Sequence, residues 1–308
     1  MRAMAITEYG GPEVLRPMDL DDPLVAPDAV LVRVRAAGVN PVDRVIREGY
    51  LAGMFPSHFP LVPGWDLAGV VERVGPSVTE FAPGDEVVAY ARKDHIQGGT
   101  YAELVSAPIR SLARKPERAS WAEAAGLPLA GLTAWQSLRA AGVREGDTVL
   151  VHAAAGGVGS LAVQLARVLG AEVVGTASER NHDFVRSLGA TPVAYGEGLA
   201  ERVRAAAPGG VTVALDFAGR DALEASALLV STPSRIVSVV DAQQVLGLGG
   251  RYVFVRPDPA DLAELSRLVD AGQLRVEVEQ VLPLEGAAEA HRVSEAGHVR
   301  GKLVLEVA

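Results

Sequence analysis

Two rhythms of apolar residues divide the chain of 308 residues. The first third holds short apolar runs punctuated by Gly and Pro. Residues 29–36 alternate apolar and polar positions like a half-buried strand. Residues 67–74 read as another, ended by Gly75-Pro76. Residues 81–90 are a turn feeding a strand, and residues 98–105 repeat the pattern. Short strands between Gly/Pro turns predict a β-barrel-like domain over residues 1–119. From Ser120 the rhythm changes. Ser120 caps a helix with Glu123 as its capping-box partner, and Pro128 then interrupts that helix. Six apolar strands follow, at 148–153, 172–177, 191–195, 211–217, 235–240 and 251–255, separated by helices or long connections. That alternation predicts a parallel, doubly wound sheet over residues 120–260. A last helix at 261–271 and a closing strand up to Val307 imply that residues 261–308 return to the first domain.

The richest chemistry lies after the first of the six strands. Residues 148–153 run straight into Gly156, Gly157, Val158 and Gly159, and apolar residues then recur at helical spacing from Leu161. Glycines let the backbone turn tightly and approach a ligand. The helix N-terminus offers free N–H groups and a positive dipole end to a pyrophosphate. Strand, glycine turn and helix in that order are the context of a dinucleotide fingerprint. The next strand bears on which dinucleotide. An NAD site usually ends this strand in an acid that holds the ribose 2′-hydroxyl. Here the tip is Thr176-Ala177-Ser178, followed by Glu179 and Arg180. Ser178 and Arg180 suit a 2′-phosphate, which favours NADPH. Glu179 is the competing acid, but it lies past the apolar strand.

Composition narrows the classes. Net charge is −9, which argues against a dedicated nucleic-acid binder. No cysteine is present, which excludes thiolate nucleophiles, disulfides and thiolate-bound zinc. No apolar stretch approaches a membrane span, and the N-terminus lacks the apolar core of a signal peptide. A soluble cytoplasmic protein is expected.

Several motifs, running in order along nearly the whole chain, carry a family resemblance. They are Gly38-Val-Asn-Pro-Val-Asp43, Pro63-Gly-Trp-Asp-Leu-Ala-Gly-Val-Val71, Gly84-Asp-Glu-Val-Val88 and Gly98-Gly-Thr-Tyr-Ala-Glu103. Leu127-Pro-Leu-Ala-Gly-Leu-Thr-Ala-Trp135, the 153–160 turn and Gly301-Lys-Leu-Val-Leu305 continue them. The chain resembles the medium-chain dehydrogenase/reductases, within them the zinc-independent quinone oxidoreductase (zeta-crystallin-like) branch. The resemblance implies a GroES-like β-barrel domain plus a Rossmann domain. It implies direct hydride transfer from a nicotinamide to a small carbonyl or quinone substrate, with no metal. Zinc-containing relatives have Cys where this chain has Asn40, and Gly-His-Glu where it has Gly64-Trp65-Asp66. His58 and His95 match no ligand position and read as surface or loop histidines.

By the same resemblance, Asn40 and Asp43 lie near the nicotinamide ribose and carboxamide. From the residues alone, Asn40 before Pro41 is also a good helix N-cap. Thr133, Tyr195 at the end of the third strand and Lys302 match cofactor-side positions of the family, with a buried helical threonine, a plain strand-end tyrosine and a surface lysine as the competing readings. Phe217 and Val239 fall at strand ends that line the crevice expected beyond the sheet. Tyr50 is the candidate substrate contact or proton donor, although relatives place a tyrosine about one position later and some another at Val45. Leu51, Met54, Phe55 and Phe59 would form an apolar mouth, or equally simple loop packing. Quinone reduction is the leading function. Reduction of enones or enoyl thioesters is the rival, and a basic rim of Arg44, Arg47 and Arg92 would favour an acyl-CoA. A noncatalytic NADPH-binding protein is the alternative from another class. The strand at 251–255 would be a sheet edge unless paired with a second subunit, so a homodimer is expected.

Overall fold

The computed structural model describes residues 1–219 and 221–307. It divides into two compact units, Met1–Leu129 with Pro257–Ala308, and Ala130–Arg256.

In the first unit β1 (Arg2–Ala5) pairs antiparallel with β2 (Arg16–Asp19). β3 (Ala29–Val39) is the organising strand, and its neighbours are β5 (Asp66–Val74), β8 (Leu104–Pro108) and β17 (Lys302–Glu306). β6 (Glu86–Tyr90) and β9 (Leu112–Arg114) extend the sheet on one side, and β16 (Val278–Pro283) on the other. β4 (Ser57–Val62) and β7 (Ile96–Gly98) form a small separate pair. Arg33 and Arg35 are exposed on β3, while Val30, Val32 and Val34 pack into the core with Leu67, Val88 and Leu303. This is the period of two expected of a half-buried strand.

The strand expected at 98–105 begins only at Leu104. The Gly99 N–H donates to Val62 O, Thr100 to Gly64 O and Tyr101 to Pro63 O, so this segment is tied to the chain before β5 instead of the sheet. α1 (Pro41–Arg47) follows β3 directly. α2 (Trp121–Gly126) has the expected Ser120/Glu123 capping box. It belongs to this first unit, although the reading from sequence put residues from 120 onward with the parallel sheet. Pro128 starts a helix as well as ending one: α3 (Pro128–Ala141) begins there and carries the chain into the second unit. Proline lacks an N–H that a first-turn residue would leave unbonded anyway. On its return the chain forms α9 (Pro259–Asp270), then β16, α10 (Ala287–Glu295) and β17.

The second unit is one parallel sheet. β10 (Thr148–Val151), β11 (Glu172–Thr176), β12 (Thr191–Val193), β13 (Val213–Asp216), β14 (Ile236–Ser238) and β15 (Arg251–Tyr252) lie in the order β12-β11-β10-β13-β14-β15. α4 (Gly157–Val168), α5 (His182–Ser187), α6 (Leu199–Ala206), α7 (Ala222–Leu229) and α8 (Ala242–Gly247) connect them. All six expected strands are present but shorter. The third stops at Val193, so Tyr195 lies two residues beyond it on an exposed turn. The ladder ends there because β11 itself ends at Thr176, opposite Val193. Beyond it, the Arg202 guanidinium binds the carbonyls of Ala194, Gly196 and Glu197. The strand order reverses between β10 and β13. Such a switch point opens a crevice beyond the C-terminal strand ends, where open α/β sheets bind ligands.

Candidate functional site

Each unit carries one constellation. In the second, Ala153 follows β10 with φ 55°, in the left-handed region. Its N–H donates to Thr176 Oγ1 at 3.1 Å, and the Ala154 N–H to Thr176 O at 2.9 Å. The loop is thus pinned to the end of β11. Gly156 is the N-cap of α4, its own N–H closing back on Ala153 O at 3.0 Å. A Cβ at Gly159 would overlap that same Ala153 oxygen, so only glycine permits the helix to start this close to the turn. Gly156, Gly157 and Val158 are half-exposed. The first turn of α4 therefore presents N–H groups with no partner within the helix.

At the end of β11, Ser178 is half-exposed and Arg180 exposed, in the short turn Glu179–Asn181. No acidic side chain stands on the strand tip at Thr176-Ala177-Ser178. Beyond β13, buried Asp216 accepts the N–H groups of Ala218 and Gly219 at 2.9 and 2.8 Å through Oδ1, and the Ser238 hydroxyl at 2.8 Å through Oδ2. It fixes the loop bearing Phe217 to the end of β14, where Val239 follows. Thr133 is buried on α3.

The constellation of the first unit is a buried polar network that local sequence patterns did not reveal. Pro41 occupies the first turn of α1, and Asp43 Oδ2 accepts the Asn40 backbone N–H at 2.8 Å. The Asn40 side chain bonds elsewhere. Its Nδ2 donates to Asp66 Oδ2 at 2.9 Å, and Lys302 Nζ donates to its Oδ1 and to Val39 O. Asp66 Oδ1 accepts the Leu129 N–H at 2.8 Å. Tyr101 donates its hydroxyl to Asp43 Oδ2 at 2.9 Å and lies 3.3 Å from His291 Nε2. Arg47 donates to His291 Nδ1, Gly10 O, Glu48 and Glu295.

Electrostatics follow from this burial. Desolvation pushes Asp43 up to about 7, against the hydrogen bonds from Asn40 and Tyr101. It pushes Asp66 up to about 6, opposed first by the Lys302 charge. Burial lowers Lys302, which Asp66 and Asp43 pull back up. Tyr101 is raised well above its ordinary value by burial and by Asp43. Asp43 Oδ1 and Thr100 Oγ1 are buried without a hydrogen-bond partner among the described residues.

Two expectations change. Lys302 is neither at the surface nor turned to solvent: it is 4% exposed, and its ammonium is bound to Val39 and Asn40. Arg47 cannot form a basic rim, since its side chain is fully buried and engaged by two glutamates. Arg44 is paired with Glu48. Tyr50 is 75% exposed on the turn after α1 and does not join the buried network. Of the apolar mouth, Met54 and Phe59 are exposed, while Phe55 packs edge-on against Trp65. His58 and His95 are exposed, with ring centroids 6.3 Å apart.

Comparisons with known proteins agree with this organisation. An alcohol dehydrogenase GroES-like domain model matches residues 26–117, and a zinc-binding dehydrogenase model matches residues 188–305. The chain is 35% identical to the chloroplastic NADPH-dependent alkenal/one oxidoreductase of Arabidopsis thaliana, over 99% of this chain and 79% of that protein. It is 32% identical to the chloroplast envelope quinone oxidoreductase homolog of the same plant, over 99% and 98%. The solved quinone oxidoreductase of Coxiella burnetii superposes with a TM-score of 0.89 at 34% identity, covering 100% of this chain and 99% of that one.

A zinc ion does not fit the residues present. Asn40, at the position of the metal-binding cysteine in zinc relatives, has an ammonium bound to its side-chain oxygen. Among the described residues no group of three or more His, Asp or Glu side chains is arranged to hold a metal. No helix among them is long and apolar enough to cross a membrane.

Proposed function

Because this chain belongs to the medium-chain dehydrogenase/reductase family, in its quinone oxidoreductase branch, we propose that it reduces quinones with NADPH. The observation that carries the reading is the turn after β10. Gly159 lets α4 begin against Ala153 O, and no acid ends β11. The N–H groups of Gly157 and Val158, beside the half-exposed Gly156, bind the pyrophosphate. Ser178 and Arg180 take the 2′-phosphate, the arginine through a charge-assisted pair. Tyr195, Phe217, Val239 and Thr133 flank the cofactor.

NADPH supplies the hydride when bound; the protein supplies position and electrostatics. The acceptor takes the hydride and one proton. A hydroquinone anion is stable enough to take that proton from water, so no dedicated acid is required. Asn40 supplies a hydrogen-bond donor at the reacting end, and Asp43 holds its backbone. Tyr50 contacts the acceptor.

One relative favours a second reading: its name is that of an alkenal/one oxidoreductase, which suits an enone acceptor. An enone is harder to reduce and gains from a placed donor. Tyr50 would then donate the proton. NADPH and NADH oxidation, measured in parallel with a soluble ortho-quinone and a simple α,β-unsaturated ketone, separates the readings. Fast NADPH-specific quinone turnover supports the first, and turnover only on the ketone moves the assignment to double-bond reduction. NADPH binding without turnover on either makes the protein a noncatalytic binder. We further propose a cytoplasmic homodimer paired along β15, the edge of the parallel sheet. A monomeric mass by light scattering would rule the dimer out.

A further inference from the structure

An amide side chain has four hydrogen-bonding positions, two accepting at oxygen and two donating at nitrogen. At Asn40 the oxygen faces the Lys302 ammonium, and one N–H faces Asp66 Oδ2. Both bonds are charge-assisted, and both depend on which way the amide points. Turned over, it would set nitrogen against a cation and oxygen against a carboxylate, replacing two bonds with two repulsions. The amide therefore has one orientation. Its second Nδ2–H has no acceptor among the described residues.

The cation does more than orient. A positive charge on the amide oxygen draws electron density from the nitrogen and strengthens the remaining N–H as a donor. Asn40 is 3% exposed, so water screens this effect little. Lys302 holds Val39 O with another of its three protons, anchoring the ammonium to the end of the strand that leads into α1.

We propose that Lys302 is a positioning residue for the reduction, locking and polarising the Asn40 carboxamide so that its free N–H meets the acceptor oxygen as negative charge develops there. This rests on the reading of Asn40 as a site residue. It departs from a role for Lys302 in holding NADPH. A donor that matters only as charge develops lowers the barrier without tightening the ground state.

The test is a double-mutant cycle with Lys302→Met and Asn40→Ala, measured with the acceptor that the wild type turns over. Lys302→Met should lower kcat about tenfold to a hundredfold. KM for NADPH, and the NADPH Kd from fluorescence titration, should stay within about twofold. In the Asn40→Ala background Lys302→Met should change kcat by less than about twofold, because there is no amide left to position. Lys302→Gln, which keeps a neutral donor, should retain more activity than Lys302→Met; it also serves if the methionine variant folds poorly. Unchanged kcat in Lys302→Met, independent losses in the cycle, or a loss confined to NADPH affinity would each overturn the proposal. A wild type that turns over no acceptor overturns the functional reading and this role with it. An active wild type with an equally active Lys302→Met variant overturns this role alone.

Discussion

Arg47 donates to His291 Nδ1 across 3.0 Å, and this one bond sets the protonation state of the imidazole. A guanidinium only donates, so Nδ1 must be the bare nitrogen and Nε2 carries the proton. Nε2–H then faces the Tyr101 oxygen, and Tyr101 spends its own proton on Asp43 Oδ2. Every bond from Arg47 to Asp43 runs in one direction. A proton on Asp43 must accordingly sit on Oδ1, the oxygen with no partner. Burial, with the Arg47 charge adding to it, pushes His291 down to about 3. The His291 ring resonances should therefore not titrate between pH 5 and 8, with nitrogen shifts of the Nε2–H tautomer. A midpoint near 6.5 would show that Arg47 does not hold the ring.

Asp43 makes the opposite contribution. Its folded-state value, about 7, lies above the ordinary 3.8, so the folded chain binds this proton more tightly than the unfolded chain. The stability it contributes is full below about pH 4 and is lost as pH rises toward 7. Asp43→Asn removes the ionisation while keeping an acceptor for Asn40 and Tyr101. Its melting temperature relative to wild type should therefore be more favourable at pH 8 than at pH 5. A difference that does not vary with pH would mean that Asp43 titrates as an ordinary carboxylate.

Gly159→Ala places a methyl group against the Ala153 carbonyl, a backbone atom already held by the loop. Such overpacking costs about 1–3 kcal/mol. Urea unfolding should show that loss, and NADPH should bind at least tenfold more weakly because the turn must shift. Unaltered binding would show that the pyrophosphate does not use this turn.

Arg180→Ala tests the discrimination between cofactors. It should raise KM for NADPH by about tenfold or more and leave NADH unchanged, since only NADPH carries the 2′-phosphate. Equal losses would put that phosphate elsewhere.

The second unit was the more legible from sequence, and the reason is local. Strand, turn and helix around Gly156–Gly159 are consecutive, and each strand carries its own apolar run. What was missed there, the stop at Val193, follows from β11 ending at Thr176, with Arg202 holding the carbonyls of the turn beyond it. The first unit resisted because its chemistry is assembled over long separations. Asn40 and Asp43 are readable as a helix start, yet their partners are Asp66, Tyr101 and Lys302. His291 offers no pattern except as one buried position of an amphipathic helix. A buried lysine and a buried arginine also run against composition, which places both at the surface unless they are paired.

The position of Lys302 on β17 has a consequence for how the protein is made. Lys302 lies 262 residues after Asn40, with the whole parallel sheet encoded between them. During synthesis α1 and its asparagine emerge early, while the ammonium that orients the amide emerges only after the second unit has left the ribosome. Until β17 pairs with β3, Asp66 faces Asn40 with no counter-cation, and only one of the two charges that orient the amide is in place. Completion of the first sheet and setting of the Asn40 side chain are therefore one event, so a nascent chain can hold a finished nucleotide turn before its other unit is ready for chemistry.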